Sequence, residues 1–149
     1  MQITQAVESD SKDIWMWRND AQTRAMSITT AEVSWADHDR WFQDSCARPD
    51  RFLYIGRLSA AEKVGMCRFD ISADAGTATV SINLNPQMRG KKLSYQLLDL
   101  AIKAFWATNR LPLAATIRKQ NASSIHCFGK CGFILDREDS DYNHYLLKP

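Results

Sequence analysis

A basic segment near the middle of the chain carries the residues best suited to bind a ligand. It runs from Asn85 to Ser94 as NPQMRGKKLS, with charge at Arg89, Lys91 and Lys92. A strand pattern precedes it and a helical period follows it. The first N–H groups of a helix lack internal acceptors and lie at the positive end of its dipole, so the segment predicts a phosphate site. The alternative is a solvated loop with ordinary surface lysines, which the strand-to-helix setting disfavours.

A second segment with spaced polar residues begins at Asn121. Residue type alone gives it an N-cap, an amphipathic turn and a glycine C-cap, which need no ligand. Its pattern places small, aromatic and basic residues at fixed intervals: Asn121, Ser124, Ile125, Phe128, Lys130, Gly132 and Phe133.

These two segments are positioned by strands and helices that the hydrophobic pattern predicts. The clearest strand is Gly76 to Leu84, whose side chains alternate between apolar and polar, and pairing should fail near Pro86 because proline has no N–H. A long helix follows Gly90 and ends near Asn109. After it we expect a strand at Leu111 to Ile117, a helix at Asn121 to Cys131, and a hairpin of Phe133 to Asp136 and Tyr142 to Leu147.

The first half of the chain supplies the remaining elements. Gln2 to Val7 predicts a strand, and the polar cluster Glu8 to Ser11 caps a helix. Thr23 to Thr30 shows no period and is predicted as a loop, whereas Ser34 is expected to cap a second helix. Two further strands are predicted at Phe52 to Leu58 and Lys63 to Ile71. The order of elements predicts a mixed α/β (α+β) sheet flanked by helices.

Composition limits the function classes. A chain of 149 residues with 45% hydrophobic content is expected to form one domain over residues 1–149. The net charge of +2 argues against a nucleic-acid partner, and no apolar run suits a membrane span or a signal peptide, so a cytoplasmic protein is expected. The four cysteines are expected to be free thiols, and no metal site is predicted.

The two segments together resemble the GNAT superfamily of acetyl-CoA-dependent N-acetyltransferases. The family motif Arg/Gln-x-x-Gly-x-Gly/Ala aligns with Arg89, Lys92 and Ser94, and the phrase Pro-x-x-Arg-Gly-Lys is intact from Pro86. Lys92 stands where the family has a glycine. The resemblance covers roughly residues 76 to 133 and implies about seven mostly antiparallel strands with about four helices.

The resemblance also implies a coenzyme site. The strand through Ile82 to Leu84 would splay from the one at Ala114 to Ile117, and the Leu84 N–H would polarise the thioester carbonyl. Asn83 and Ser124 are further catalytic candidates, and Phe128 stands where many members have a tyrosine acid. The residues implied in acetyl-CoA binding are Ile82, Leu84, Arg89, Gly90, Lys91, Lys92, Leu93, Ser94, Asn121, Phe128 and Lys130.

The acceptor is expected to be a small-molecule amine. Trp17-Arg18-Asn19 and His38-x-x-Trp41 resemble the branch that acetylates nucleotide-linked amino sugars of the pseudaminic acid type, with Arg18, Asn19, His38 and Trp41 as acceptor-binding residues. The same Trp-Arg-Asn pattern occurs in relatives that acetylate ribosomal-protein N-termini, and tryptophans at helical spacing also suit a core. A non-catalytic acyl-CoA-binding module is the third hypothesis, and the family resemblance allows a homodimer.

Overall fold

A computed structural model describes all 149 residues of the chain. The strands form one sheet in the order β1-β2-β3-β4-β5-β7-β6, antiparallel throughout except for the β4–β5 pair. This sheet confirms the predicted fold class. Its strands are β1 (Gln2–Gln5), β2 (Arg51–Arg57), β3 (Lys63–Ile71), β4 (Ala78–Leu84), β5 (Leu113–Arg118), β6 (Ile134–Glu138) and β7 (Tyr142–Leu147).

Five α-helices flank the sheet. Ser34 caps α3 as predicted, because its side chain accepts a hydrogen bond from the Asp37 N–H at 3.1 Å. Gly132 follows the last helix with a φ of 95°, the left-handed geometry expected of a C-cap glycine. The helices are α1 (Ser11–Asn19), α2 (Ala21–Met26), α3 (Trp35–Ala47), α4 (Leu93–Trp106) and α5 (Ala122–Lys130).

The loop predicted from Thr23 to Thr30 is wrong in its first half, where α2 forms. Asp20 caps this helix by accepting a hydrogen bond from the Thr23 N–H at 3.0 Å, and the Ser27 hydroxyl donates to the Thr23 carbonyl at 2.7 Å. A helix of six residues is too short to show a hydrophobic period, and none of its residues is buried. Local capping holds it, and it raises the expected four helices to five.

The two faces of the sheet carry separate apolar clusters. Side chains of α4 and α5 pack with alternate residues of β2 to β5 in a cluster that includes Phe69, Phe105 and Phe128. On the other face α1 and α3 supply Ile14, Trp17 and Phe42, which cover the intervening residues of β2 and β3. Each fully buried side chain of this size contributes about 1.5–3 kcal/mol, so the two clusters fix both helix layers.

One buried group of charges ties the start of α1 to the sheet. The Asp10 carboxylate is fully buried; it accepts from Arg57 at 2.7 and 2.8 Å and from the Val7 N–H at 3.0 Å. Lys63 Nζ lies 2.8 Å from Asp10 and 2.6 Å from Asp13. We call Asp10, Asp13, Arg57 and Lys63 the paired cluster, because each charge in it faces an opposite one. No helix in the structure is long and apolar enough to cross a membrane.

Candidate active site

A groove of about 690 Å³ brings both sequence motifs together. It is bounded by the end of β4, the start of α4, α2 and α5, which the sequence separates by up to a hundred residues. The groove therefore unites elements that single motifs could not relate. Its lining includes eleven of the predicted site residues: Ile82, Asn83, Leu84, Arg89, Gly90, Lys92, Leu93, Ser94, Asn121, Ser124 and Lys130.

The groove opens where β4 and β5 separate. Their ladder covers only two residue pairs, Ala78–Leu113 and Thr79–Ala114, so the predicted splay beyond them is confirmed. In an antiparallel ladder, hydrogen-bonded residue pairs alternate with non-hydrogen-bonded ones. The Asn85 N–H donates to the carbonyl of Val64 on β3 at 2.8 Å, so Asn85 and Val64 form a hydrogen-bonded pair. By that alternation the backbone groups of Ile82 and Leu84 face β5 across the gap. A ligand lying in the gap would meet these groups as an additional strand does.

Gly65 of β3 sets the position of Leu84 from the other side. It is paired with Leu84, and a Cβ at Gly65 would lie 2.5 Å from the Asn83 carbonyl oxygen and 2.9 Å from the Leu84 Cα. Both are backbone atoms, so they could not move aside cheaply. Only glycine allows this approach, and sequence reasoning missed it because nothing in the local pattern marks it.

The turn between β4 and α4 presents a row of free amides. Gly90 and Lys92 adopt left-handed backbone angles, with φ of 76° and 58°. None of the N–H groups from Gly90 to Ser94 donates to a backbone carbonyl. These amides occupy the positive end of the 14-residue helix α4, so a polyanion fits here. Lys92 adopts the glycine-like conformation of the family motif and keeps an exposed side chain, as a lysine at this position must.

Arg89 is held by α2. Its Nη2 hydrogen-bonds to the Asp20 carboxylate and lies 3.0 Å from the Thr23 hydroxyl. The hydrogen bond from Arg89 is the main cause of the lowered pKa of Asp20. Arg89 thereby fixes the amide turn against α2, so its first role in the structure is to position the turn.

The second motif lies at the start of α5. Asn121 caps this helix by accepting from the Ser124 N–H at 3.2 Å, and Lys130 Nζ lies 4.7 Å from the centre of the Tyr95 ring. Two predicted coenzyme-binding residues do not line the groove. Phe128 is buried and packs edge-on against Phe133, and the Lys91 ammonium lies 3.6 Å from the Met88 sulfur.

The four predicted acceptor residues are dispersed. His38 is 3% exposed, lies 3.0 Å from the Ser11 hydroxyl and stacks among aromatic rings, and burial lowers its pKa. Trp41 lies beneath the Arg51 and Arg68 guanidinium groups. Neither ring lines the groove, and the burial of His38 favours its interpretation as a structural histidine.

Arg18 and Asn19 hold the segment that follows α2. Arg18 donates to the Thr29 carbonyl at 2.7 Å, and the Asn19 amide binds both the N–H and the carbonyl of Val33 at 2.8 Å. Asn19 also borders a second cavity of about 560 Å³ between α1 and the turn after β4. Both side chains thus fix the segment that follows α2, whose first residue, Ser27, lines the groove.

A polar chain that the sequence did not reveal runs from β5 to β7, next to the strand that separates from β4. The His144 ring lies 3.1 Å from the Thr116 hydroxyl through Nδ1 and 3.0 Å from the Asp139 carboxylate through Nε2. The hydrogen bond from His144 is the main cause of a pKa of about 2 for Asp139, so that carboxyl is ionised at neutral pH. A histidine oriented by a carboxylate is suited to accept a proton. Cross-strand pairing of β5 with β7 creates this arrangement, which no sequence spacing predicts.

An open mixed sheet whose parallel central strands separate at a groove is the architecture of the GNAT class of proteins. The chain belongs to the acetyltransferase (GNAT) domain family, whose model matches residues 1–134. The family resemblance is thereby confirmed. The chain is an acetyl-CoA-dependent N-acetyltransferase of the GNAT type.

Solved structures with the same fold have low sequence identity to this chain. A spermidine N-acetyltransferase from Vibrio cholerae in complex with CoA and spermine superposes with a TM-score of 0.89 at 13% identity, covering 99% of this chain and 94% of that one. An N-acetyltransferase from Staphylococcus aureus gives 0.80 at 24% identity, with 99% and 97% covered. An aminoglycoside acetyltransferase in complex with coenzyme A gives 0.81 at 14%, with 99% and 94% covered. At these identities the likeness shows the fold. No curated protein matches the chain significantly.

Proposed function

We propose that acetyl transfer takes place in the groove, by direct attack of a primary amine on the thioester of acetyl-CoA. The observation that carries the proposal is the row of unbonded amides from Gly90 to Ser94, which opens onto the gap between β4 and β5. A diphosphate needs several convergent donors, and a helix start supplies them without a metal ion. Residues 1–149 act as one domain in this proposal.

The coenzyme would lie along β4. Its pyrophosphate would accept from the amides of Gly90 to Ser94, with Lys92 and Lys130 adding positive charge at the groove wall. The pantetheine would pair with the free backbone groups of Ile82 and Leu84 and pass Asn121. The Leu84 N–H, held rigid over Gly65, would then donate to the thioester carbonyl as negative charge develops on it.

The amine must lose a proton as its nitrogen bonds to the carbonyl carbon and the carbon–sulfur bond breaks. His144 is our candidate acceptor for that proton, through water near Thr116, while Asn83 and Ser124 would orient water and substrate. The thiol of the coenzyme has a pKa of about 8.5, so it can leave as a thiolate with little help from an acid. A buried Phe128 in place of an acid is consistent with that chemistry.

For the acceptor we favour an amino sugar linked to a nucleotide. Two arginines lie beside the groove: Arg24 on α2, whose neighbours Thr23 and Met26 line it, and Arg18 at the end of α1 next to Asn19. A nucleotide supplies phosphates for such cations. Acetylation of a protein N-terminus is less well supported, because it calls for an open acidic groove. A non-catalytic binding module would bind the coenzyme without releasing free thiol when amines are supplied.

The first test is calorimetric titration of acetyl-CoA and desulfo-CoA into the protein and into a Ser94→Glu variant. Ser94 lines the groove in the first turn of α4, where a carboxylate favours the helix dipole and opposes a phosphate. We expect micromolar binding that Ser94→Glu abolishes without loss of stability. Gln96→Glu adds the same charge to the same helix outside the groove and should bind normally. Failure of the unmodified protein to bind either ligand would overturn the proposal.

A further inference from the structure

Three arginines converge on the face of the sheet that α1 covers. Arg18 lies in the last turn of α1, Arg24 in the last turn of α2, and Arg68 on β3. Arg68 follows the buried Met66 by two residues, so it shares the α1 face of the sheet, and its partner on β4 is Ser81. We call Arg18, Arg24 and Arg68 the arginine cluster.

The protein supplies too few hydrogen-bond acceptors for the guanidinium groups of this cluster. Four buried side-chain nitrogen or oxygen atoms in the structure have no hydrogen-bond partner in the protein, and three of them are Arg18 Nη1, Arg24 Nε and Arg68 Nε. Arg68 Nε lies 2.8 Å from an Asp70 oxygen, a contact that brings charges together without hydrogen-bond alignment. A buried donor without an acceptor is a cost that folding alone does not explain.

Carboxylates near the cluster do not balance its charge. Asp70 is shared between Arg68 and Arg51, whose Nε lies 2.5 Å from it. Arg24 has only Glu32, at 3.8 Å, whose side chain is 75% exposed. The pKa of Arg18 is lowered, first by burial and then by the positive charges of Arg68 and Arg24. Arg68 and Arg24 therefore lie close enough to Arg18 to repel its charge.

A purely structural role accounts for only part of this arrangement. Arg18 donates to the Thr29 carbonyl, and Arg118 donates to the Ser27 and Ile28 carbonyls at 2.8 and 3.1 Å. These bonds hold the segment after α2 in place. Arg24 and Arg68 donate to none of these carbonyls, so holding the segment does not explain their presence.

The cluster lies next to the groove. Residues of α2 on either side of Arg24 line it, and Ser81 is two residues from the groove-lining Asn83 on the same face of β4. We propose that the arginine cluster binds an anionic group, a phosphate or a carboxylate, carried by the amine that is acetylated. This inference rests on the proposed function only in placing the reacting amine at the groove.

The experiment titrates inorganic pyrophosphate, and separately malonate, into the protein saturated with desulfo-CoA, so that the amides of α4 are already occupied. The signals to follow by NMR are the side-chain Nε–Hε resonances of Arg24 and Arg68, whose nitrogens are buried without a hydrogen-bond partner. We expect saturable shifts of both, and a dissociation constant raised about tenfold or more by Arg24→Gln and by Arg68→Gln. The stronger of the two ligands shows whether phosphate or carboxylate is preferred.

Arg40→Gln is the matched control, because Arg40 is exposed on α3 and pairs only with Asp37. It should bind pyrophosphate as the unmodified protein does. The inference is overturned if neither anion shifts these resonances, or if all three variants bind alike. When desulfo-CoA itself does not bind, the proposed function fails, and the same titration in Ser94→Glu still decides whether the arginine cluster binds anions.

Discussion

The paired cluster and the arginine cluster are both partly buried groups of charges, but they differ in balance. In the paired cluster Asp10 faces Arg57 and Lys63, and Lys63 also faces Asp13. In the arginine cluster three guanidinium groups share little negative charge, and each has one buried nitrogen without a hydrogen-bond partner.

The difference separates charges that hold the fold from charges that meet a ligand. A buried ion with matched partners contributes little net stability, but removal of one partner is strongly destabilising. A buried surplus of one sign is destabilising as it stands, and it is expected where a ligand supplies the opposite charge. The comparison therefore predicts large stability losses from mutations in the paired cluster, and functional losses from mutations in the arginine cluster and the groove beside it.

The largest stability effect should come from Asp10→Asn. It removes the charge that compensates Arg57 and Lys63, and breaking a buried pair in this way costs about 3 kcal/mol or more. Urea denaturation would measure it. The control Asp13→Asn, at a carboxylate 43% exposed, should cost less than about 1 kcal/mol. Equal losses from Asp10→Asn and from the arginine cluster would break the comparison.

Among the residues proposed to act in catalysis, His144→Gln should lower kcat by at least ~100-fold while leaving the denaturation midpoint nearly unchanged. Its ring is only partly buried, and its partners Thr116 and Asp139 lie on β5 and in the loop between β6 and β7. Release of coenzyme thiol under saturating amine would report kcat. The reverse pattern is expected for His38→Gln, which disturbs packing in the α1 face. A His144→Gln enzyme of normal kcat would remove His144 from the mechanism.

Stability should also fall in two steps on acidification. Burial lowers the pKa of His38 below 6.5, so protonation of the unfolded chain favours unfolding as the pH falls from 6.5 to the folded value. Burial would raise the pKa of Asp10, but hydrogen bonds from Lys63, Val7 and Arg57 lower it below 3.8. Its contribution is full above pH 3.8 and is lost as the pH falls through the folded pKa. Denaturation midpoints from pH 8 to 2 would measure both steps, with His38→Gln removing the upper one and Asp10→Asn reducing the lower, to which Asp20 and Asp139 also contribute.

The hydrophobic pattern of the sequence predicted the helices and strands that bury one face against their neighbours. The strand at Lys63–Ile71 was predicted to the residue, and the helix after Gly90 ends within three residues of its predicted end. Both bury one face against the sheet, so their residues repeat at the spacing of the structure. The six-residue α2 escaped prediction because capping at Asp20, and not burial, holds it.

The site was predictable only where one short segment forms it. The amide turn and the Asn121 cap are local, so their residue order reveals them. The arginine cluster joins positions 18, 24 and 68, and the chain from His144 to Thr116 crosses two strands. Long-range pairing creates both, and no spacing along the chain records it.

A smaller effect on stability should come from the strained turn between β4 and α4. Lys92 has a φ of 58°, which costs a residue with a Cβ about 1 kcal/mol relative to glycine. Lys92→Gly should therefore be more stable than Lys92→Ala by about that amount, since both lose the same charge. Thermal unfolding would compare them, with coenzyme titration showing the cost of the lost charge. Equal stabilities would mean that the turn relaxes and that the backbone at Lys92 is not strained.

The smallest stability change, and the sharpest test of the comparison, is expected for Arg24→Gln. Its weak contact with Glu32 contributes little, and removing one of three like charges relieves repulsion with Arg18. The free energy of unfolding should stay within about 0.5 kcal/mol of the unmodified protein or rise. A residue kept only for the fold would not behave in this way, since its removal would lower stability. If Arg24→Gln destabilises the protein as much as Asp10→Asn, the arginine cluster holds the fold, and the division between the two clusters is lost.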